Sequence, residues 1–480
     1  MKNKNLFVLS VTALLSLTAC GGKGEKPVEG LTDIEKANMT VDFNDIEDNS
    51  MVRPVIKEYI DAMEEQEKTL EKPYHLTSLY GPTDYAMLAA KEKSRSYGDV
   101  KKNYPASETG GVDCCQYLGY NSNDKNEPIK VTWDAGERTY EDAKMKFWST
   151  KDHSDVREAS VTVENGVASV SLGNLYRATK YRMQLFDGDE VSQGFEFETG
   201  DYVRYINLGR VRNVRDIGGY MTSYGVRTNQ GLMYRGYYVD DKSGGHGVNY
   251  SADREGLVQE EVMKIGYEVD LQRSTEINGR TASCFNTETT PCDYKCLTLI
   301  SYENFVTQES YQNLPAVFEI LANAGEKHVY FHCWGGADRT GMLAFFINAI
   351  CGVSYTDLIE DFEITTESNS SVRCHMHNSQ DAAFSRFLHA FVDEWTDYDP
   401  DKTVNENCYN WLKDVAGVSE EHMLAVRQLM IPGYYDGMPQ NIPTYTPSST
   451  TDEDEYGVWN PAVEDENVKC NYQRKDEMSA

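Results

Sequence analysis

Residues 327–351 read KHVYFHCWGGADRTGMLAFFINAIC, and this stretch decides the fold of the larger part of the chain. Lys327 to Phe331 is a short apolar run that predicts a strand. Thr340 to Cys351 is rich in Met, Leu, Ala, Phe and Ile, which predicts a helix. A strand, a tight loop and a helix in this order are typical of α/β proteins, in which the helix N-terminus binds anions.

The loop between strand and helix contains a cysteine, five further residues, an arginine and a threonine. Gly335 and Gly336 would let successive backbone N–H groups curl around a phosphate. Arg339 offers a planar fork to two phosphate oxygens, and the same amides favour the thiolate form of Cys333. We therefore predict that Cys333 attacks phosphorus and forms a cysteinyl-phosphate, while Arg339 stabilises the transition state.

The other loop residues are expected to bind the substrate or to shape the loop. His332 would orient the loop, and the Thr340 hydroxyl can hydrogen-bond the cysteine sulfur. The alternative to a catalytic loop is that Cys333 is a structural cysteine, buried at a strand end, and that Arg339 stands near it by chance. Rhodaneses and arsenate reductases also use looped cysteines, but His, Gly and Arg-Thr together argue against them. The predicted substrate-binding residues of the loop are His332, Trp334, Gly335, Gly336, Ala337 and Thr340.

Motifs upstream of the loop follow the order of a known family. Residues 213–220 read NVRDIGGY, residues 231–236 read GLMYRG, and residues 266–274 read GYEVDLQRS with Glu276 two positions later. Together with the loop they resemble the bacterial tyrosine phosphatase family related to the mycobacterial secreted phosphatase PtpB. The resemblance implies an α/β cysteine-phosphatase fold, with a central sheet flanked by helices. It also adds Asn213, Arg215 and Asp270 to the expected substrate-binding residues.

Two positions depart from the pattern of that family. Its loop usually reads His-Cys-x-x-Gly-Lys-Asp-Arg-Thr-Gly, and Ala337 stands where the family has the lysine. That lysine is associated with phosphoinositide headgroups, so the substitution counts against lipid phosphatase activity. Gln272 interrupts the family's Asp-Leu-Arg sequence, which leaves the role of Arg273 open.

The general acid has several candidates. No Trp-Pro-Asp sequence is present, so the mobile acid loop of ordinary tyrosine phosphatases is missing. Asp338, inside the loop, is the family-like candidate, Asp270 is the second and Asp216 the third. Asp338 could instead brace the loop. The alternative for Asp270 and Asp216 is structural pairing with Arg273 or Arg215.

The first twenty residues predict an export signal. Lys2 and Lys4 precede the mostly apolar run from Leu6 to Leu17, which is too short to span a bilayer. The sequence LTACGG at 17–22 resembles the lipobox of bacterial lipoproteins, in which the cysteine is acylated. We expect Cys20 to anchor the protein in the cell envelope, outside the cytoplasm, on the periplasmic or surface face. An ordinary secretory signal is the alternative.

The pattern along the chain predicts five segments. Residues 1–20 are the lipoprotein signal, and residues 21–75 are a polar tether with a charged helix. Residues 76–203 contain short alternating strands from 129 onward that resemble a fibronectin type III-like β-sandwich, with Trp133 and Tyr181 in its core. Residues 204–432 form the catalytic domain, and residues 433–480 form an acidic, flexible tail.

The amino-acid composition limits the kinds of partner that the protein can bind. The chain has 480 residues, with 46 basic against 77 acidic side chains and a net charge of −31, which disfavours nucleic acid and requires a locally basic phosphate site. His375 and His377 lack a third ligand, so neither a metal nor a cofactor is expected. Substrates would be phosphorylated proteins or small phosphoesters. The alternatives are a cysteine phytase-like enzyme for inositol phosphates and a non-catalytic phosphate-binding or adhesion lipoprotein. Oligomeric state and disulfides stay open.

Overall fold

The computed structural model describes residues 128–149, 156–188, 195–201, 203–240, 255–277, 279–325, 327–368 and 402–432, with short pieces at 40–41, 58, 61–62, 190–191, 248–249, 387, 391 and 399. The predicted signal with Cys20, most of segment 21–75, the pair His375 and His377, and the tail 433–480 lie outside the described residues. The chain divides into two compact units, Met1–Met51 with Asn126–Tyr202 and Val52–Lys125 with Val203–Ala480. No described helix is long and apolar enough to cross a membrane.

The first unit contains antiparallel strands. They are β1 (Thr40–Val41), β2 (Ile129–Asp134), β3 (Lys144–Ser149), β4 (Arg157–Ser160), β5 (Thr162–Glu164), β6 (Val167–Leu172), β7 (Lys180–Asp187), β8 (Glu190–Val191) and β9 (Phe195–Glu198). One sheet has the order β1-β2-β6-β5, and the other has β4-β3-β7-β8, with β9 also paired to β7. Alternate residues of these strands are buried, as the period of two along the sequence requires.

Trp133 and Tyr181 lie in the hydrophobic core of this unit, which confirms their predicted burial. The Tyr181 hydroxyl accepts a hydrogen bond of 2.9 Å from the backbone N–H of Tyr176, five residues upstream. A hydroxyl bound to nearby upstream backbone is the arrangement of the tyrosine corner in β-sandwiches. The resemblance to a fibronectin type III domain stays a prediction.

The second unit is built on a mixed five-stranded sheet. Its strands are β10 (Arg215–Asp216), β11 (Met233–Gly236), β14 (Ile265–Asp270), β15 (Asp293–Cys296) and β16 (His328–His332), and a separate parallel pair is formed by β12 (Val239–Asp240) and β13 (Val248–Asn249). The order is β10-β11-β16-β14-β15. All neighbours are parallel except β10 and β11. This mixture of sheet and helices fits the predicted α/β phosphatase fold.

Helices of this unit complete the core. They are α1 (Glu255–Val258), a π-helical turn (Gln259–Met263), a 3₁₀ turn (Tyr302–Val306), α2 (Gln308–Tyr311), α3 (Leu314–Leu321), α4 (Asp338–Ile350), α5 (Tyr355–Glu363), a second 3₁₀ turn (Ile364–Ser368), α6 (Val404–Asp414) and α7 (Glu420–Met430). Every residue of α4 from Thr340 to Ile350 is buried, because the helix is apolar around most of its circumference. The predicted strand and helix around the loop are confirmed.

The register of the sheet places three strand ends side by side. Gly236, the last residue of β11, and Asp270, the last residue of β14, both lie opposite His332, the last residue of β16. The carboxyl edge of parallel strands is where α/β proteins bind ligands, because the following loops and helix N-termini converge there. The loop after His332 therefore leaves the sheet at its functional edge.

Candidate active site

The loop from Cys333 to Ala337 joins β16 to α4 in a tight turn. Gly336 has a φ of +61°, and a Cβ at this position would lie 2.2 Å from the backbone oxygen of Gly236. Glycine alone tolerates both the left-handed backbone and this close approach. The turn can therefore bring the N-terminus of α4 directly after the end of β16.

Side chains from the upstream motifs hold the carbonyl groups of the loop. Asn213 Nδ2 donates to the backbone oxygens of Gly335 and Gly336 at 3.3 and 3.0 Å. Arg235 Nη2 donates to the oxygens of Gly336 and Ala337 at 2.9 and 3.2 Å. Since the N–H of a trans peptide points opposite to its C=O, the amides of these peptides point away from Asn213 and Arg235. Such aligned amides at a helix N-terminus are suited to an anion.

A buried ion cluster supports these side chains. Asp361 of α5 lies between Arg215, whose Nε is 3.0 Å from Asp361 Oδ1, and Arg235, whose Nη1 contacts Oδ2. Both guanidinium groups are fully buried. Burial and the charge of Arg215 lower the pKa of Arg235 to about 10. Burial opposes ionisation of Asp361, but the two guanidiniums outweigh it and hold the pKa of this carboxyl below its usual value.

Asn213 and Arg215, which were predicted to bind the substrate, lie behind the loop. Both side chains are completely buried. Arg215 Nη1 contacts Asn213 Oδ1, and Asn213 in turn binds the loop carbonyls. They lie on the carbonyl side of the loop, so their geometry supports a role in shaping the phosphate cradle from behind.

Cys333 is the first residue of the loop and is 3% exposed. Burial raises the pKa of its thiol, but the charge of Arg339 and the nearby hydroxyl and backbone of Thr340 act in the opposite direction and lower the pKa below its ordinary value of 9.0. Asp338 partly offsets this effect. A lowered pKa favours the thiolate, which is the nucleophilic form of cysteine.

Arg339 lies in the first turn of α4 with 11% of its side chain exposed. Its Nη1 forms an ion pair of 2.6 Å with Glu276 Oε2 and a long contact of 3.5 Å with the backbone oxygen of Leu271. Burial lowers the pKa of Arg339, but the Cys333 thiolate and Glu276 raise it overall, so the guanidinium stays charged. Within the described part of the chain, its buried Nε has no hydrogen-bond partner, so this N–H can donate to a phosphate oxygen.

Asp338 precedes Arg339 and is the first residue of α4. Tyr302, the first residue of the 3₁₀ turn, donates a hydrogen bond of 3.3 Å from its hydroxyl to Asp338 Oδ2. The carboxyl is thus held at the same helix N-terminus as Cys333 and Arg339. Of the three candidate acids, Asp338 is the one that is part of the loop and helix start.

His332 is fully buried between two acceptors. Its Nε2 lies 2.8 Å from Glu268 Oε1, and its Nδ1 lies 3.1 Å from the backbone oxygen of Cys333. Glu268 also accepts from Arg280 and Ser283, which together with His332 outweigh burial and lower its pKa. Because a carbonyl and a carboxylate can only accept, both ring nitrogens must donate. Burial lowers the pKa of His332, but Asp270 and Glu268 raise it overall, which agrees with an imidazolium.

Asp270 and Asp216 have other partners than expected. Asp270 accepts from the amide of Gln272 at 3.0 Å and from the Tyr294 hydroxyl at 2.9 Å. Asp216 pairs with Arg204 at 2.7 Å and is buried. Both carboxyls thus have structural partners, as in the alternative to an acid role, but these are not Arg273 or Arg215, because Arg273 is exposed on the loop after β14 and Arg215 is bound to Asp361. Asp270 lies under the loop beside His332, with 3.9 Å between Oδ1 and Nδ1.

The outer side of the loop is formed by its remaining residues. Trp334 is 53% exposed, although it directly follows the buried Cys333. Gly335 is partly exposed, and Ala337 is 2% exposed where the family pattern has a lysine. Thr340 is fully buried in the first turn of α4. An indole is thus the large side chain that the loop presents at its surface.

The other described cysteines differ from Cys333. Cys284, Cys292, Cys296, Cys351 and Cys408 have free thiols in the structure. Burial raises the pKa of Cys292 and of Cys351 to about 12. These thiols stay protonated at neutral pH, so the lowered pKa of Cys333 sets it apart from them.

Sequence reasoning missed several residues of this site. Glu268, Arg235 and Tyr302 contact the loop residues directly, and Asp361 does so through the arginines. A charged residue in the middle of the apolar strand segment IGYEVD was a signal for Glu268, and Arg235 stood within a quoted motif. Asp361 and Tyr302 gave no comparable signal, since neither stands in a motif.

The comparisons with known proteins agree with this geometry. Residues 206–439 match the model of the tyrosine phosphatase family. The matched segment begins before Asn213 and contains the whole loop, so it covers every site residue described above except Arg204. This region is thus similar to the tyrosine phosphatase family, which supports a phosphatase function and phosphorylated substrates. A search of the curated proteins finds no match.

Proposed function

We propose that this protein is a cysteine-dependent phosphomonoester hydrolase that acts on phosphotyrosine. The observation that supports it is the placement of one buried thiol with a lowered pKa beside a buried, charged Arg339 at a helix N-terminus. The thiolate is the nucleophile, and the amides and Arg339 bind the three phosphate oxygens.

The reaction then follows from the positions of three side chains. The Cys333 thiolate attacks phosphorus in line, the P–O bond to the leaving group breaks, and Asp338 gives its proton to the departing oxygen. In the second step the Asp338 carboxylate takes a proton from water, whose oxygen bonds to phosphorus as the P–S bond breaks. Inorganic phosphate leaves, and the thiolate and the protonated Asp338 are restored.

Two features of the loop favour an aryl phosphate. Cys333 is recessed, with 3% exposure, so a phosphate on the long tyrosine ring reaches it more easily than one on a serine. Trp334 is half exposed next to it and offers a face on which an aromatic ring can pack. Ala337 removes the lysine charge that would favour inositol phosphates, so these rank behind phosphotyrosine as substrates.

The test is hydrolysis of p-nitrophenyl phosphate, followed by a panel of phosphotyrosine, phosphoserine and inositol phosphates. Cys333→Ser should abolish turnover and keep phosphate binding, because a hydroxyl is not a competent nucleophile here while the cradle is intact. Arg339→Lys should also lose most activity, since an ammonium cannot reproduce the planar fork. Turnover near wild type in Cys333→Ser would refute the mechanism, and a preference for inositol phosphates would refute the substrate class.

We further propose that Cys20 anchors the protein to a bacterial membrane, outside the cytoplasm, with a fibronectin type III-like domain as spacer. The support is the lipobox pattern at 17–22 and the antiparallel sheets of the first unit. Several acyl chains give stable attachment. Cys20→Ala should release the protein from membranes and leave catalysis unchanged, and persistent attachment of this variant would refute the anchor.

A further inference from the structure

Tyr302 has an unfavourable backbone conformation. Its φ is +60°, in the left-handed region that large side chains rarely occupy. It opens the 3₁₀ turn Tyr302–Val306 directly after an extended Ser301. Strain of this kind persists where surrounding contacts fix the backbone, and it is concentrated at functional sites.

The 3₁₀ turn is anchored to the helix that begins at the active site. Phe305, in the same turn, is fully buried and stacks on Phe346 of α4 with 5.7 Å between ring centroids. Its ring also lies 6.5 Å from that of Trp411 in α6. The position of Tyr302 is thus set relative to α4, whose first residue is Asp338.

The hydroxyl of Tyr302 donates to Asp338 Oδ2 at 3.3 Å, across 36 residues of sequence. A carboxyl at the start of a helix has several rotamers, and only some of them direct an oxygen towards a leaving group. A donor on an anchored turn selects among those rotamers. The strained backbone at Tyr302 is therefore explained if the ring must reach Asp338.

We propose that Tyr302 is a positioning residue that holds the Asp338 carboxyl for proton transfer to the leaving group. The inference rests on the proposed function, in which Asp338 is the general acid. Its consequence for the first step, which kcat/KM reports, is specific: loss of the hydroxyl slows P–O cleavage only for leaving groups that need the proton. Phosphate binding and the attack of Cys333 do not depend on it.

The experiment compares kcat/KM for phenyl phosphate, whose leaving group needs a proton, with kcat/KM for p-nitrophenyl phosphate, whose leaving group departs without one. Tyr302→Phe should lower the first roughly tenfold and the second no more than about twofold, because misplacing an acid loses part of the hundredfold or more that it supplies. Tyr302→Gly, which fits the left-handed backbone, should show the same difference without a folding penalty from φ.

Tyr311→Phe is the matched control. Tyr311 lies in α2 and packs edge-to-face on Trp411 at 5.9 Å, so the same atom is removed from a ring near the same helices. Both substrates should react with this variant as with wild type. In an Asp338→Asn background, Tyr302→Phe should add no further leaving-group dependence, because the residues act as a unit.

The outcomes distinguish a failure of the role proposed for Tyr302 from a failure of the proposed phosphatase function. If Asp338→Asn shows the leaving-group-dependent loss and Tyr302→Phe does not, the role of Tyr302 is overturned while the phosphatase stands. If Asp338→Asn slows both substrates equally, Asp338 is not the acid and the inference falls with that assignment. If Cys333→Ser stays active, the proposed function itself is wrong.

Discussion

Replacing Asp361 by Asn tests whether the buried ion cluster supports the catalytic loop. Asp361 faces Arg215 and Arg235, and all three side chains are at most 3% exposed. Removing one partner of a buried pair costs about 3–5 kcal/mol, because the remaining charge is left uncompensated. Asn can still accept from one guanidinium, so we expect the lower end, about 3 kcal/mol, or roughly a hundredfold in the folding equilibrium.

The assay is amide hydrogen exchange of peptides from α4, which gives the free energy of opening in this unit alone. Asp293→Asn is the matched control, because Asp293 forms an ion pair of the ordinary 2.7 Å with Lys327 but the two side chains are 61% and 44% exposed. That variant should exchange like wild type. Asp361→Asn should also weaken the binding of vanadate, since Arg235 would lose the partner that aligns it with Gly336.

The pH dependence of this difference has a definite sign. The pKa of Asp361 in the folded protein lies below the unfolded value of 3.8, because the two arginines outweigh burial. Its contribution to stability is therefore complete above the unfolded pKa and is lost as the pH falls through the folded pKa. The difference in free energy of opening between wild type and Asp361→Asn should become smaller below about pH 4. A loss under about 1 kcal/mol at neutral pH, as for exposed pairs, would refute the reasoning.

Three further predictions concern the loop. Iodoacetamide at pH 6.5 should label Cys333 first and leave Cys351 unlabelled, as mass spectrometry can show, because the pKa of the first thiol is lowered and that of the second is about 12; equal labelling would contradict the lowered pKa. Gly336→Ala should lose phosphate binding and more stability than Gly279→Ala, since both have positive φ but only the first places Cβ 2.2 Å from backbone; equal melting temperatures would contradict this. Glu276→Gln should lower kcat/KM about three- to fivefold by releasing Arg339 from a partly exposed pair, and an unchanged value would show that the pair does not orient the arginine.

The sequence was sufficient to predict the local frame of the site. The apolar run before Cys333, the two glycines and the apolar helix after Arg339 are all neighbours in the chain, so spacing alone determines a strand, a loop and a helix. Gly336 is an example: its left-handed φ is a local property of the backbone, and a glycine in the sequence indicates that such a conformation is possible. The upstream motifs likewise predicted that Asn213 and Arg215 belong to the site.

The residues that hold the loop from behind could not be found in the same way. Asp361 lies in α5, and only the packing of that helix on the sheet brings its carboxyl between two arginines. The same limit applies to Asp216: its partner is Arg204 and not the neighbouring Arg215 of the alternative, because the fold brings Arg204 back to the motif. Tyr302 is a further case. Its contact with Asp338 depends on a left-handed backbone conformation, which a tyrosine in the sequence does not indicate.

The charge balance around the loop explains how a chain with net charge −31 can hold a phosphate. Arg339 is paired with Glu276. Glu268 is shared by His332 and Arg280, and Asp270 lies 3.9 Å from His332, so these three basic side chains are matched by three acidic ones. Asp361, in contrast, is one carboxylate for two arginines, and these three side chains together retain one positive charge. The pKa of Arg235, lowered to about 10, is still far above neutral pH, so this charge persists. This charge is buried, and Arg235, which carries part of it, is bound to the loop carbonyls. Salt therefore screens it much less than it would screen a surface lysine, and the charge can offset the thiolate of Cys333 from behind the loop. The surplus positive charge is therefore held inside the protein, behind the loop, where it compensates the thiolate that an incoming phosphate would otherwise meet.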